Sequence, residues 1–273
     1  MSIHQQVPVV EGPPPRIEVR NAAGSVTVRA VEGADQLEVE VEPLDDAAEQ
    51  LLDRVDVDIR AGDAHSPARL RVTVPERRLL RTPAFAVRIT TPPGAEARIA
   101  VASADVELTG RFGTLDLSGA SADVAVEQAG DLHLRSASGD ARVGRIAGGS
   151  IASASGGIRV GRASGALQLR TASGDVSVEH AGAELNARTA SGDVTVGAIA
   201  GGTVQVKTVS GDVSVGVTPG LRVWLDLSSV SGRMDSQLED DGATGDGPPE
   251  LTLTMRSVSG DLRIRRSAAA SVA

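Results

Sequence analysis

The sequence predicts an all-β protein: a parallel β-solenoid (β-helix) of about nine coils with a period near 18 residues, preceded by a β-rich N-terminal cap with one short helix. Three observations carry this expectation. One short motif is written nine times at near-constant spacing, apolar and polar residues alternate on both sides of each copy, and the supply of core residues is aliphatic, with one Trp, two Phe and no Tyr in 273 residues.

The motif SGD begins at Ser138, Ser173, Ser191, Ser210 and Ser259, with SGG at Ser155, SGR at Ser231, and SAD at Ser103 and Ser121. From Ser103 onward the steps are 18, 17, 17, 18, 18, 19, 21 and 28 residues. A catalytic loop needs one copy, whereas a structural corner is needed once per turn, and a slightly irregular period of this size is the mark of stacked coils. At about 4.8 Å per coil, nine coils would run for about 40 Å.

Within a coil, "LQLRT" before the corner and "VSV" after it have the period-2 pattern of strands buried on one face. The expected interior before the corner includes Leu115 and Leu117, Leu132 and Leu134, Leu167 and Leu169, Leu185 and Ala187, Val204 and Val206, Leu225 and Leu227, and Leu251 or Leu253 with Met255. After the corner it includes Val106, Val124, Val143, Ile158, Val176, Val194, Val213 and Leu262. Ser or Thr two positions before the motif serine (Ser136, Ser153, Thr171, Thr189, Thr208, Ser229, Ser257) predicts a hydroxyl stack bonding from coil to coil. The motif glycine supplies backbone freedom for a tight corner.

Residues 1–95 lack the motif and read as the capping segment, residues 96–266 as the solenoid, and 267–273 as a tail. In the cap, "RIEVR", "SVTVRAV", "QLEVEVE", "VDVDIR", "RLRVTV" and "FAVRIT" alternate as strands. "LDDAAEQLLDRV" is the helical candidate, with Asp45 or Asp46 as N-cap and Leu44, Leu51, Leu52 and Val55 near one face. Its expected role is to close the N-terminal end against edge pairing. "QLEDDGATGDGPPE" reads as an acidic insertion between the last two coils and "RRSAAASVA" as a mobile tail.

A net charge of −9 leaves no basic surplus to displace counterions, and the few aromatics give bases no stacking platform, so a nucleic-acid partner is not expected. The absence of cysteine excludes disulfides, thiolate metal sites and a cysteine nucleophile. With no basic start followed by an apolar stretch, and no apolar run of about 20 residues, the sequence predicts no membrane span and a cytoplasmic location.

"IEVRNAAGSVTVRAVEGADQLEVEVEP", "AAEQLLDRV", "VRITTPPGAEARIAVASADV" and the repeated SGDV together resemble the bacterial β-strand-repeat proteins catalogued as "putative adhesins", a family of unknown function. The resemblance covers nearly the whole chain and implies a β-solenoid. It carries over no activity and no catalytic residues.

The aspartates that follow the motif glycine or alanine, Asp105, Asp123, Asp140, Asp175, Asp193, Asp212 and Asp261, are expected to stack. Neighbouring carboxylates at this spacing repel by about 1 kcal/mol at the dielectric of water. A charged hydrogen bond from each to the amides of its own turn returns about 1.5–3 kcal/mol, so the column is expected to stand as turn caps without metal. A calcium ladder on Asp140, Asp175, Asp193 and Asp212 is the alternative, although the GGxGxD repeat of calcium-loaded β-rolls is absent. Arg135, Arg170, Arg188 and Lys207 form an outward basic column, read as solvated charge, and Trp224 reads as a core filler in a widened coil. His4, His65, His133 and His180 have no zinc spacing, and no G-x-S-x-G elbow accompanies a placed His. No enzyme and no cofactor are expected. The expected function is a non-catalytic, adhesin-like binding module for a protein or surface partner. The alternatives are a scaffold that self-associates end to end, as bactofilins do, and a calcium-stabilised module.

Overall fold

The computed structural model describes residues 2–75, 82–238 and 248–267. It divides into two compact units, residues 1–141 and 142–273. Among the described residues the structure is all-β apart from one α-helical turn and one 3₁₀ turn.

In the first unit the strands are β1 (Ile3–Pro8), β2 (Arg16–Asn21), β3 (Ala23–Ala30), β4 (Gln36–Pro43), β5 (Asp56–Arg60), β6 (Arg69–Thr73), β7 (Ala84–Thr91), β8 (Glu96–Val101), β9 (Asp105–Ser121) and β10 (Val124–Ser138). All six strands expected before residue 96 form. Parallel pairing reaches into that segment: β2 lies between β6 and β8, with Val19 opposite both Val72 and Ile99. β3 lies between β7 and the first half of β9, with Val28 opposite Ile89 and Leu108. The second half of β9 continues from β8, and β10 follows the whole of β9, with Val124 opposite Val106 and Leu134 opposite Leu117. These facing aliphatics are buried, each contributing about 1.5–3 kcal/mol of apolar burial.

The strands outside this parallel stack run antiparallel. β5 lies on β6, β4 on β7, and β1 on β4. They occupy the edges that the helix was expected to close. β1 escaped the sequence reading because Gln5 stands on the inward side between Ile3 and Val7, breaking the apolar alternation. The helix α1 spans only Asp46–Glu49, with Asp45 as N-cap: its carboxylate accepts from the Ala48 N–H at 2.7 Å. A 3₁₀ turn at Leu52–Arg54 follows and leads into β5. Ala48 and Leu51 are buried, whereas Leu44, expected on the inner face, is exposed.

In the second unit the strands are β11 (Ala141–Ser155), β12 (Ile158–Ala163), β13 (Leu167–Ser173), β14 (Val176–Ala181), β15 (Glu184–Ser191), β16 (Val194–Ile199), β17 (Gly202–Lys207), β18 (Val213–Val217), β19 (Val223–Ser231), β20 (Met234–Ser236), β21 (Leu251–Ser259) and β22 (Leu262–Arg266). The strands that precede the corners pair in parallel in the order β11, β13, β15, β17, β21, β19. Those that follow the corners pair in the order β12, β14, β16, β18, β22, β20. Identical motif positions face each other, as in Leu167 opposite Leu185 and Val176 opposite Val194.

Chain order and spatial order part company at β19. The last repeat, β21 with β22, inserts between β17/β18 and β19/β20, so the SGR repeat at Ser231 is outermost. Burial follows the inserted order. Leu251, Leu253, Met255, Leu262 and Ile264 are fully buried, whereas Leu225 and Leu227 are half-buried and Met234 is 54% exposed. Leu225 and Leu227 therefore do not form the closed interior layer expected of them. The acidic insertion falls mainly on residues 239–247 and the tail on 268–273, both outside the described residues.

Candidate functional site

Each corner is built by contact between successive turns. In the second unit Gly174, Gly192, Gly211 and Gly260 have φ of +146°, +139°, +143° and +152°. Their N–H groups donate to Ser191, Ser210, Ser259 and Ser231 carbonyls. A Cβ on Gly192 would stand 2.2 Å from the Gly174 carbonyl oxygen. Glycine is thus required twice over, by its dihedral and by the backbone stacked against it. In the first unit Gly139 and Gly24 serve similarly, with φ of +103° and +105°. There the buried Asn21 carboxamide donates to the Phe85 carbonyl at 2.9 Å.

The aspartates do stack, but six of the seven carboxylates bind the next turn and not their own. Asp175 Oδ1 accepts from the Asp193 N–H (2.9 Å), Asp193 from Asp212 (2.8 Å), Asp212 from Asp261 (2.9 Å) and Asp261 from Arg233 (2.9 Å). The first unit repeats this from Asp105 to Asp123 (3.2 Å) and from Asp123 to Asp140 (2.8 Å). In return each aspartate carbonyl accepts from the residue after the previous corner, as in Val194 N–H to Asp212 O at 2.9 Å. The expectation of own-turn capping is corrected for a geometric reason: stacking brings the following turn's N–H within 2.8–2.9 Å of the carboxylate in the second unit.

The inserted strand order also explains Arg233. In sequence it interrupts the aspartate column; in space it ends it, its N–H donating to Asp261 with no paired turn beyond it among the described residues. Arg263 bridges Asp261 (3.0 Å) and Asp212 (3.4 Å). The Arg233 N–H, aided by the nearby Arg263 and Arg233 charges, holds the Asp261 carboxyl below the usual range. Asp63 is likewise lowered by the N–H groups of His65 and Ser66, both at 2.8 Å. Among the described residues no three His, Asp or Glu side chains converge as a metal-binding group. The Asp140, Asp175, Asp193 and Asp212 carboxylates are laid out one per turn, with Asp140 in the first unit and the other three in the second.

The expected coil-to-coil hydroxyl bonds are made only at the outermost turn. Thr171, Thr189, Thr208 and Ser257 are buried with Oγ atoms that have no hydrogen-bond partner, as is the Ser153 Oγ. Only the ends of this set bond: Ser136 to the Ser138 carbonyl (2.7 Å) and Ser229 to the Gly260 carbonyl (3.2 Å). In register, the hydroxyls repeat at the strand spacing, which exceeds hydrogen-bond reach.

The outer face of the strands before the corners carries the most extended array of the second unit. Arg170, Arg188, Lys207 and Arg256 stand opposite one another in consecutive strands. Two residues earlier, Gln168, Asn186, Gln205 and Thr254 form a parallel polar row. At the outermost strand Trp224 lies on this same face and is 50% exposed, so it is not a core filler. The sequence held that signal: if Leu225 and Leu227 point inward, period 2 puts Trp224 outward. Arg256 carried the same signal, standing three positions before Ser259 as Arg170, Arg188 and Lys207 stand before Ser173, Ser191 and Ser210; only its place next to Lys207 was hidden by the 28-residue step. Arg135, expected in the same column, belongs to the first unit.

Parallel strands stacked in register, with one corner chemistry and one outward chemistry at every step, define an all-β repeat protein. The chain belongs to the Toastrack DUF4097 family, whose profile matches residues 16–265. It therefore sits in the class of bacterial "putative adhesin" domains of unknown function that its sequence resembles. Solved structures similar to it include a "putative adhesin" from Bacteroides fragilis (13% identity, TM-score 0.44, 96% of this chain and 97% of that one). Another is a "putative lipid binding protein" from Parabacteroides distasonis (12% identity, TM-score 0.44, 97% of each chain). A third is a "putative cell adhesion protein" from Clostridium sporogenes (10% identity, TM-score 0.26, 97% of this chain and all of that one). The identification rests on the family match and not on these distant likenesses. No curated protein matches the chain.

Proposed function

We propose that the chain is a non-catalytic β-solenoid binding module that presents repetitive ladders to a surface or protein partner. The observation that carries this reading is the in-register outer face of the second unit, where the same pair of polar and cationic positions recurs on β13, β15 and β17. A repeated surface binds extended or multivalent partners, because each step adds a similar contact at little further cost in ordering. The carboxylates whose acidity is raised, Asp63 and Asp261, accept backbone N–H bonds, an environment that suits structural acceptors and not general acids. No helix among the described residues is long and apolar enough to cross a membrane. The reading is tested by co-sedimentation of the purified protein with washed bacterial envelope fragments: saturable retention supports it, and passage of all the protein into the supernatant overturns it.

A second reading, end-to-end self-association, is favoured by the outermost turn. β19 and β20 each pair with one strand among the described residues, and their inward Leu225, Leu227 and Met234 are incompletely covered. Open strand edges template further pairing. Sedimentation velocity over a wide concentration range distinguishes it: a growing series of larger species supports self-association, and a constant value excludes it.

A further inference from the structure

We infer that the outer face of the second unit is a binding track for a linear, carboxylate-bearing polysaccharide, which deepens the binding-module reading and rests on it. On the first unit's outer faces cations are matched to anions in the neighbouring strand: Arg16 with Glu96 at 3.0 Å, Arg71 with Glu18 at 3.3 Å, Arg98 with Asp116 at 3.1 Å. In the second unit Arg256 keeps this pattern, paired with Asp226 of the neighbouring strand at 3.1 Å, but β13, β15 and β17 depart from it. Arg170, Arg188 and Lys207 face one another across three strands, and none has an ion pair among the described residues. Arg188 bonds only the Asn186 amide oxygen, at 3.1 Å, and Arg170 and Lys207 have no hydrogen-bond or ionic partner among the described residues.

Such a row is unfavourable in the free protein. Unit charges one strand spacing apart repel by about 1 kcal/mol at the dielectric of water, and the acidic residues on this face stand aside from the row: Glu184 lies four positions before Arg188, and Asp226 is paired with Arg256 at 3.1 Å. A ligand that carries an anion at regular intervals along a straight axis removes this repulsion at each step. The neighbouring Gln168, Asn186 and Gln205 supply amide donors and acceptors of the kind that read sugar hydroxyls. Trp224, on the same face at the outermost strand, supplies one aromatic surface against which a sugar ring can pack. A single aromatic does not form the stacking series that single-stranded nucleic acid uses, so the occupant is a glycan.

Trp224 is the only tryptophan in the chain, so its fluorescence reports on this face directly. The probe is sodium polygalacturonate, with pullulan as the uncharged polymer and a thymidine oligonucleotide as the competing polyanion. Polygalacturonate should change Trp224 emission saturably and pullulan should not, and added salt should weaken the effect by screening. In R170Q/R188Q/K207Q, checked by its melting curve, affinity should fall by about tenfold or more, since each exposed ion pair contributes a few-fold. If the triple variant does not fold, K207Q alone, measured calorimetrically, should show a partial loss. Absence of polygalacturonate binding, unchanged affinity in the variants, or equally tight oligonucleotide binding overturns the inference. Undiminished retention of the triple variant on envelope fragments would overturn it while leaving the binding-module reading intact.

Discussion

Replacing Gly192 by alanine is the sharpest test of how the corners are built, because it adds one atom where two independent constraints meet. The residue has φ +139°, a region that costs an L-residue about 1–2 kcal/mol. The added Cβ would also lie 2.2 Å from the Gly174 carbonyl oxygen and 2.7 Å from its carbon, both backbone atoms that cannot rotate away. Relief requires the two turns to separate at the corner. That stretches the Asp193 N–H bond to Asp175 (2.9 Å) and the Gly174 N–H bond to the Ser191 carbonyl (3.0 Å), each contributing about 1 kcal/mol. The expected total is about 3 kcal/mol, or roughly 6–12 °C in Tm. Gly220 supplies the control: its φ is +83°, but a Cβ there meets nothing within 4 Å, so G220A should cost only the dihedral part. Thermal melting of the two variants by circular dichroism decides the matter. Equal losses, or a G192A variant that melts within about 1 °C of the parent, would refute the stacked-corner account.

Because Asp175 accepts from the next turn, D175N should melt near the parent, with an acceptor oxygen retained, while D175A should lose about 1 kcal/mol. Calcium at millimolar levels should shift neither curve; a rise in the parent that D175N abolishes would restore the calcium alternative. V194D places a charge where the neighbouring strands offer Val176 and Val213, and should abolish soluble folded protein; normal yield and melting would reverse the assignment of inward faces. Asp261 and Asp63 have folded-state pKa values below their unfolded ones, so their stabilisation is fully present above the unfolded value near about 4 and is lost as pH falls through the folded values. Melting temperature followed from pH 6 downward should therefore decline in that acid range, and D261N with D63N should flatten the decline.

Everything that depends on period was legible in the sequence. Alternation within strands fixed which residues turn inward, from Leu115 to Ile264, and recurrence of SGD fixed where the chain bends. These properties survive because they repeat: each turn meets the same neighbour chemistry, so a local pattern carries the tertiary contact with it. The tertiary structure alone decided what happens where repetition stops. It set β21 and β22 inside β19 and β20, which makes Arg233 the end of the aspartate column and aligns Arg256 with Lys207. It also placed antiparallel β1, β4 and β5 on the edges where the sequence suggested a helix. The direction of the aspartate bonds belongs to the same class, since own-turn and next-turn acceptance need the same residue at the same spacing. Order among near-equivalent turns is chosen by differences in burial between whole strands, such as Leu251, Leu253 and Met255 against Leu225 and Leu227, a comparison made only when the strands are packed.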